Sequence, residues 1–154
     1  MFSNRIRRLH ISKRIKQYTM SENLKFNDAT PLRPEGPHTL EAPLVSIDLP
    51  GFLEQIRQEV TWHNSDRNAI TVFKTNGLRI VLVALHAGTK IKEHLADGII
   101  SVQVLEGMIQ FKANDQDINL AKGQMVALQK GITHSVLAKE ESVFLLTLTT
   151  TLEK

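Results

Sequence analysis

Between residues 70 and 150 the apolar positions come in short, β-branched runs broken by glycine or by polar pairs. Ile70–Thr75 is followed by Asn76-Gly77, and Leu78–His86 is apolar at nearly every position. Lys90–His94, Ile99–Leu105, Met108–Ala113, Gln116–Leu120, Met125–Leu128, His134–Ala138 and Val143–Thr150 follow. Between them stand Gly88, Glu106-Gly107, Asn114-Asp115, Gly123 and Lys130-Gly131. Runs of strand length with turn residues at this spacing predict a sandwich or barrel. Two long strands among many short ones match a jelly roll best. Leu78–His86, apolar on both faces, is expected in the middle of its sheet, and Glu106-Gly107 is expected to form a tight hairpin turn.

One stretch has a helical period instead. In residues 48–60, Phe52, Leu53, Ile56 and Val60 fall on one stripe, and Glu54, Gln55, Arg57 and Gln58 face away from it. Asp48 is placed to cap the helix, and Pro50 lies in its first turn. Trp62 follows at once, so helix and indole are expected to cover one face or an open edge of the sheet. His63, Asp66 and Arg67 read as a solvated turn. Upstream, residues 21–43 hold Pro31, Pro34, Gly36, Pro37 and Pro43. That predicts irregular, extended chain lying along the body or forming a weak edge strand near Leu44–Ile47. The expected organisation is a basic tail (1–19), an arm and helix (20–69) and a barrel (70–150).

Charge changes the picture in one place. The net charge of +3 is unevenly spread: residues 1–19 hold six of the 19 basic residues and none of the 16 acidic ones. The remainder is therefore slightly acidic, which speaks against a basic nucleic-acid-binding face on the body. The tail reads as a targeting segment, as a basic arm, or as upstream sequence before a start at Met20; the third reading, or a disordered tail, is preferred. The chain has no Cys, which removes disulfides and thiolate chemistry and agrees with a reducing, cytoplasmic setting. The longest apolar run, Ile80–Leu85, is far too short to span a membrane. Phosphate-binding loops of the GxGxxG and GxxxxGK[ST] types are missing, and Ser101 and Ser135 lie in strands with no nucleophile elbow around them.

The candidate chemistry lies in two blocks. Gly88, His94 and Gly107 match the framework G-x5-H-x-H-x3-E-x6-G; Gly123, Gly131 and His134 match G-x5-P-x-G-x2-H-x3-N. On these residues the stretch 70–150 resembles the cupins. The helix and Trp62 ahead of it make the chain similar to a subgroup of small single-domain bacterial cupins. The resemblance implies an all-β fold, the double-stranded β-helix (cupin jelly-roll barrel) with one N-terminal helix. It also implies three His and one Glu pointing into the barrel, commonly holding Fe, Mn, Zn or Ni, with the last His on a strand across the barrel from the first. Residues two apart on a strand share a face, which is why H-x-H sets two imidazoles side by side.

The chain departs from that pattern at its ligands. The second His position is Ala96, the Glu position is Ile100, the Pro position is Gln129 and the Asn position is Ala138, so only His94 and His134 remain. Catalytic zinc usually keeps three protein ligands, and non-haem iron wants two His and a carboxylate. Glu93 should point to the opposite face from His94, Asp97 would need an irregular backbone to reach in, and Glu106 lies too far along its strand. His86, on a face with Leu78, Ile80 and Leu82, reads as a satisfied histidine at a strand end. Lys90, Lys92 and Lys130 read as solvated; gathered at the barrel mouth they would favour an anion.

His94 and His134 are thus expected to line a pocket, hydrogen-bonded to each other, to water or to an anion. Ala96, Ile100, Val102 and Val104, with Val136 and Ala138, make its wall apolar, as small-molecule sites are. The leading expectation is a binding protein for a small organic or anionic ligand. The second is a metal-dependent, dioxygenase-like or isomerase-like enzyme using His94 and His134 with one divalent metal (Fe, Mn, Zn or Ni). The third is a structural or interaction protein with a filled barrel. By resemblance a homodimer is expected, with strands 78–85 and 143–150 as interface material because edge strands need covering. No membrane or nucleic-acid partner is expected.

Overall fold

The structure, a computed structural model, describes residues 40–150. The basic tail and Pro31, Pro34, Gly36 and Pro37 of the arm lie outside the described residues. Two helices come first, α1 (Leu49–Gln58) and α2 (Val60–Asn64). Then come β1 (Arg67–Lys74), β2 (Leu78–Leu85), β3 (Lys90–His94), β4 (Ile100–Glu106) and β5 (Met108–Ala113). The series ends with β6 (Gln116–Ala121), β7 (Met125–Leu128), β8 (His134–Ala138) and β9 (Ser142–Thr149). None of the helices among the described residues is long and apolar enough to cross a membrane.

The strands form two antiparallel sheets, ordered β1-β2-β9-β4-β7 and β3-β8-β5-β6. Alternation along each strand sends one set of side chains between the sheets. Val83, Leu85, Val104, Ile109, Phe111 and Phe144 belong to this inner core. The other face of the five-stranded sheet carries Ile70, Val72, Leu82, Ala84 and Val143, and Ile56 and Trp62 pack over it. The expected jelly roll with a helical cover is the architecture found. β2 lies between β1 and β9, inside the sheet, as a strand apolar on both faces should.

Several expectations need correction. Residues 78–85 and 143–150 are not edge strands: β2 and β9 are interior, and the outer face they share carries the helical cover. The edges are β1, β7, β3 and β6. Glu106-Gly107 is not a hairpin turn, because β4 and β5 lie in different sheets. Gly107 is the bend at which the chain changes sheet. Its φ is +80°, and a Cβ there would stand 2.2 Å from the Glu141 carbonyl oxygen, so only glycine fits. The other motif glycines, Gly88, Gly123 and Gly131, share a positive φ, which is the backbone reason for the motif's spacing. No strand forms at Leu44–Ile47. Just upstream, the arm is held by the Lys74 N–H donating to the Leu40 carbonyl (3.0 Å) and Thr75 Oγ1 donating to Glu41 (2.8 Å).

The helix starts as expected, with Asp48 accepting from the Gly51 N–H at 3.2 Å. It stops earlier. Glu59 takes an extended conformation (φ −69°, ψ 144°), so Val60 opens α2 and is 53% exposed instead of completing the stripe. Glu59, by contrast, is fully buried. Its carboxylate accepts from Gln55 Nε2 (3.1 Å) and Asn68 Nδ2 (2.8 Å). Asn68 also donates to the Ile56 carbonyl at 2.9 Å, tying α1 to the sheet. β1 accordingly begins at Arg67, ahead of the expected Ile70, with Asn68 and Ala69 buried and paired to Ala84 and Val83.

Candidate functional site

β3 and β8 are neighbours in the four-stranded sheet, and His94 stands in register with His134. The two histidines are therefore a cross-strand pair, not residues facing each other across the barrel. The register slips between Ile91 and His94, and that irregularity sets the two opposite one another. Their ring centroids are 4.2 Å apart with planes inclined by 60°. His134 also lies nearly parallel to Phe111, at a centroid distance of 5.5 Å. It is buried, while His94 is half-buried.

The rings are not hydrogen-bonded to each other. His94 Nδ1 lies 2.7 Å from the Lys92 carbonyl oxygen, and His134 Nδ1 lies 2.9 Å from that of Ile132. A carbonyl oxygen can only accept, so each Nδ1 carries the hydrogen. In a neutral ring Nε2 is then a bare acceptor. Burial holds the His134 imidazole below its ordinary value, and charge on the neighbouring His94 acts in the same direction, against the opposing pull of the Ile132 carbonyl.

His94, His134, Ala96, Ile100, Val102 and Val136 all line one cavity. Ile91, Leu95, Phe111, Phe144 and Leu146 complete its wall. Val104 and Ala138, expected on the same wall, lie in the surrounding core and do not border it. Phe111 and Phe144 were legible in principle, since each alternates in step with inward-facing neighbours, Ile109 and Leu146. The cavity measures about 30 Å³, room for one or two water-sized groups. Its mouth is marked by Leu95, which is 57% exposed although it lines the wall.

Every candidate third ligand is engaged elsewhere or turned away. Asp97 forms an ion pair with Lys130 Nζ at 2.8 Å. Glu106 pairs with Arg57 of α1. Glu93 is exposed and borders a separate, polar depression of about 660 Å³, together with Lys112, Asp115, Asp117, Thr133 and the other side of His134. His86 points to the outer face, stacked on Trp62 at a centroid distance of 3.5 Å, with its Nε2 2.9 Å from the Trp62 carbonyl oxygen. Among the described residues, no group of three or more His, Cys, Asp or Glu is placed to hold a metal ion. Two imidazoles in an otherwise apolar wall do not fit the three- or four-ligand centre that the resemblance implies. The lysines do not gather at the mouth either: Lys90 and Lys92 are exposed and do not line the cavity, and Lys130 is matched by Asp97.

No family model matches the sequence, and no curated protein matches it. Solved structures do. A cupin-2 domain containing protein from Shewanella frigidimarina is 24% identical, with 68% of this chain and 94% of that one covered at a TM-score of 0.55. A conserved protein of unknown function from Streptococcus pyogenes is 25% identical over 55% of this chain and 75% of its own, at a TM-score of 0.53. A variant of salicylate 1,2-dioxygenase from Pseudoaminobacter salicylatoxidans, in complex with gentisate, superposes at a TM-score of 0.62. It is 18% identical and covers 72% of this chain but 35% of that enzyme, a likeness of fold alone. With two antiparallel jelly-roll sheets, the motif glycines at their turns and cupins among its structural neighbours, the chain has the fold of the small cupins.

Proposed function

We propose that this cupin-fold domain is a binding module that takes part of a small organic ligand into the cavity beside His94 and His134. The observation that carries this reading is the lining itself: two polar rings, each with one nitrogen unused, set in a wall of aliphatic and aromatic carbon. Such a wall contributes affinity through apolar burial, and a few convergent polar groups orient the ligand. The volume limits what enters to a head group of one or two heavy atoms, with the remainder of the ligand over Leu95 at the opening. A metal-dependent reaction is not favoured, because the carboxylates that could complete a centre are turned outward or paired with Lys130 and Arg57. An anionic head group is disfavoured as well, because no cationic side chain lines the cavity.

The test is methyl-resolved NMR titration with a panel of single-ring organic compounds. The expected result is saturable shifts confined to Ile91, Ile100, Val102 and Val136, abolished when Ala96→Leu fills the cavity while the melting transition is retained. An absence of saturable shifts across the panel overturns the binding reading.

A further inference from the structure

The ring nitrogens specify more than a polar contact. Each imidazole has committed Nδ1 to a backbone carbonyl two residues upstream in its own chain, Lys92 for His94 and Ile132 for His134. In their neutral forms both rings therefore adopt the same tautomer, with Nε2 as the acceptor nitrogen. Two acceptors cannot bond to each other, so the edge-on contact at 4.2 Å leaves each neutral Nε2 without a partner in the neighbouring ring. Neither side chain can escape the arrangement cheaply. His134 is held between His94 and Phe111, and His94 is fixed by strand register and by the Lys92 carbonyl. The rest of the wall (Ile91, Ala96, Ile100, Val102, Phe144 and Leu146) supplies no donor.

We propose that the ligand of this cavity presents hydrogen-bond donors, a hydroxyl or an amino head group on an apolar body, to the two Nε2 atoms, and that a carboxylate head is rejected. This deepens the binding reading above and rests on it. A carboxylate would bring lone pairs against lone pairs in a site without a cation, the least favourable pairing in a desolvated pocket. A hydroxyl has one hydrogen to donate; an amino group has two. A methyl group of the same size leaves both acceptors unsatisfied, the situation in which binding sites discriminate most strongly.

The experiment titrates the full chain with aniline, phenol and toluene, whose head groups are each one heavy atom, and with benzoate, whose carboxylate both lacks a donor and exceeds the cavity's volume, read by calorimetry and by methyl shifts. Aniline and phenol are expected to bind about 10-fold or more tightly than toluene, with no saturable binding of benzoate. In His94→Leu/His134→Leu the order should collapse, toluene binding at least as well as phenol; melting curves establish that the variant is folded. Binding of benzoate as tight as that of phenol, or a toluene affinity equal to phenol's in the unaltered protein, overturns the inference and leaves the binding module standing. Failure of all four probes to bind at the cavity overturns both.

Discussion

The domain contains two aromatic–histidine assemblies, one on each face of its fold, and they differ in what is left over. On the outer face His86 stacks on Trp62, its Nε2 meets the Trp62 carbonyl at 2.9 Å, and its other nitrogen lies 4.0 Å from Glu141. Both ring nitrogens have a polar neighbour, and the assembly closes the seam between helix and sheet. On the inner face His94 and His134 touch edge to face and spend one nitrogen each on a carbonyl. The same residue type thus closes a helix–sheet seam on one face and lines a cavity on the other, so that its setting decides whether the remaining ring nitrogen can meet a ligand.

The comparison can be broken first on the outer side. Ile56 is completely buried between α1 and the sheet. Ile56→Ala should cost about 3 kcal/mol in denaturant unfolding while leaving ligand-induced shifts at the inner cavity unchanged. A change in those shifts would mean that the two faces are not independent. His86→Ala should cost about 1 kcal/mol, from lost stacking and one lost hydrogen bond, and should also spare binding. His134→Leu should act the opposite way, altering ligand preference while stability stays within about 1 kcal/mol, because a desolvated imidazole is exchanged for a side chain at home in that wall.

Acidification sharpens the difference further. The folded protein holds His134 below the ordinary 6.5 of an imidazole, chiefly through burial. Below pH 6.5 the unfolded chain takes up a proton that the native state refuses. The stability contributed by keeping this ring neutral is complete above that pH and is lost as pH falls toward the lowered folded value. Unfolding free energies measured between pH 7.5 and roughly pH 5 should therefore decline, and His134→Leu should remove part of the decline. An unchanged slope in the variant would assign the pH dependence to other groups.

Much of this was legible along the chain, and the parts that were not share a cause. Strand positions, and six of the eight residues expected along the pocket wall, follow from alternation and motif spacing, which are local properties. Positive φ at Gly88, Gly107, Gly123 and Gly131 shows why those spacings carry the architecture. What failed depends on partners distant in sequence. Val60 fits the helical stripe, but the hydrogen bonds of Glu59, one of them to Asn68, place the carboxylate inside and Val60 outside. Glu106-Gly107 resembles a hairpin turn, yet whether it folds back or changes sheet is decided by where β9 runs. His94 and His134 were expected on separate walls because spacing says nothing about which strands become neighbours. Phe111 and Phe144 face inward by the same local alternation, but the size of the cavity they border depends on how side chains from several strands meet.

The proposed ligand preference requires both inner imidazoles to offer bare Nε2 acceptors to the cavity. Its most direct measurement is a long-range ¹H–¹⁵N spectrum of the ring nitrogens near neutral pH, assigned with His94→Leu and His134→Leu. The account predicts, for both residues, a protonated Nδ1 and an unprotonated Nε2, with the Nε2 signals moving when phenol is added. A protonated Nε2 on either ring in the resting protein would contradict it.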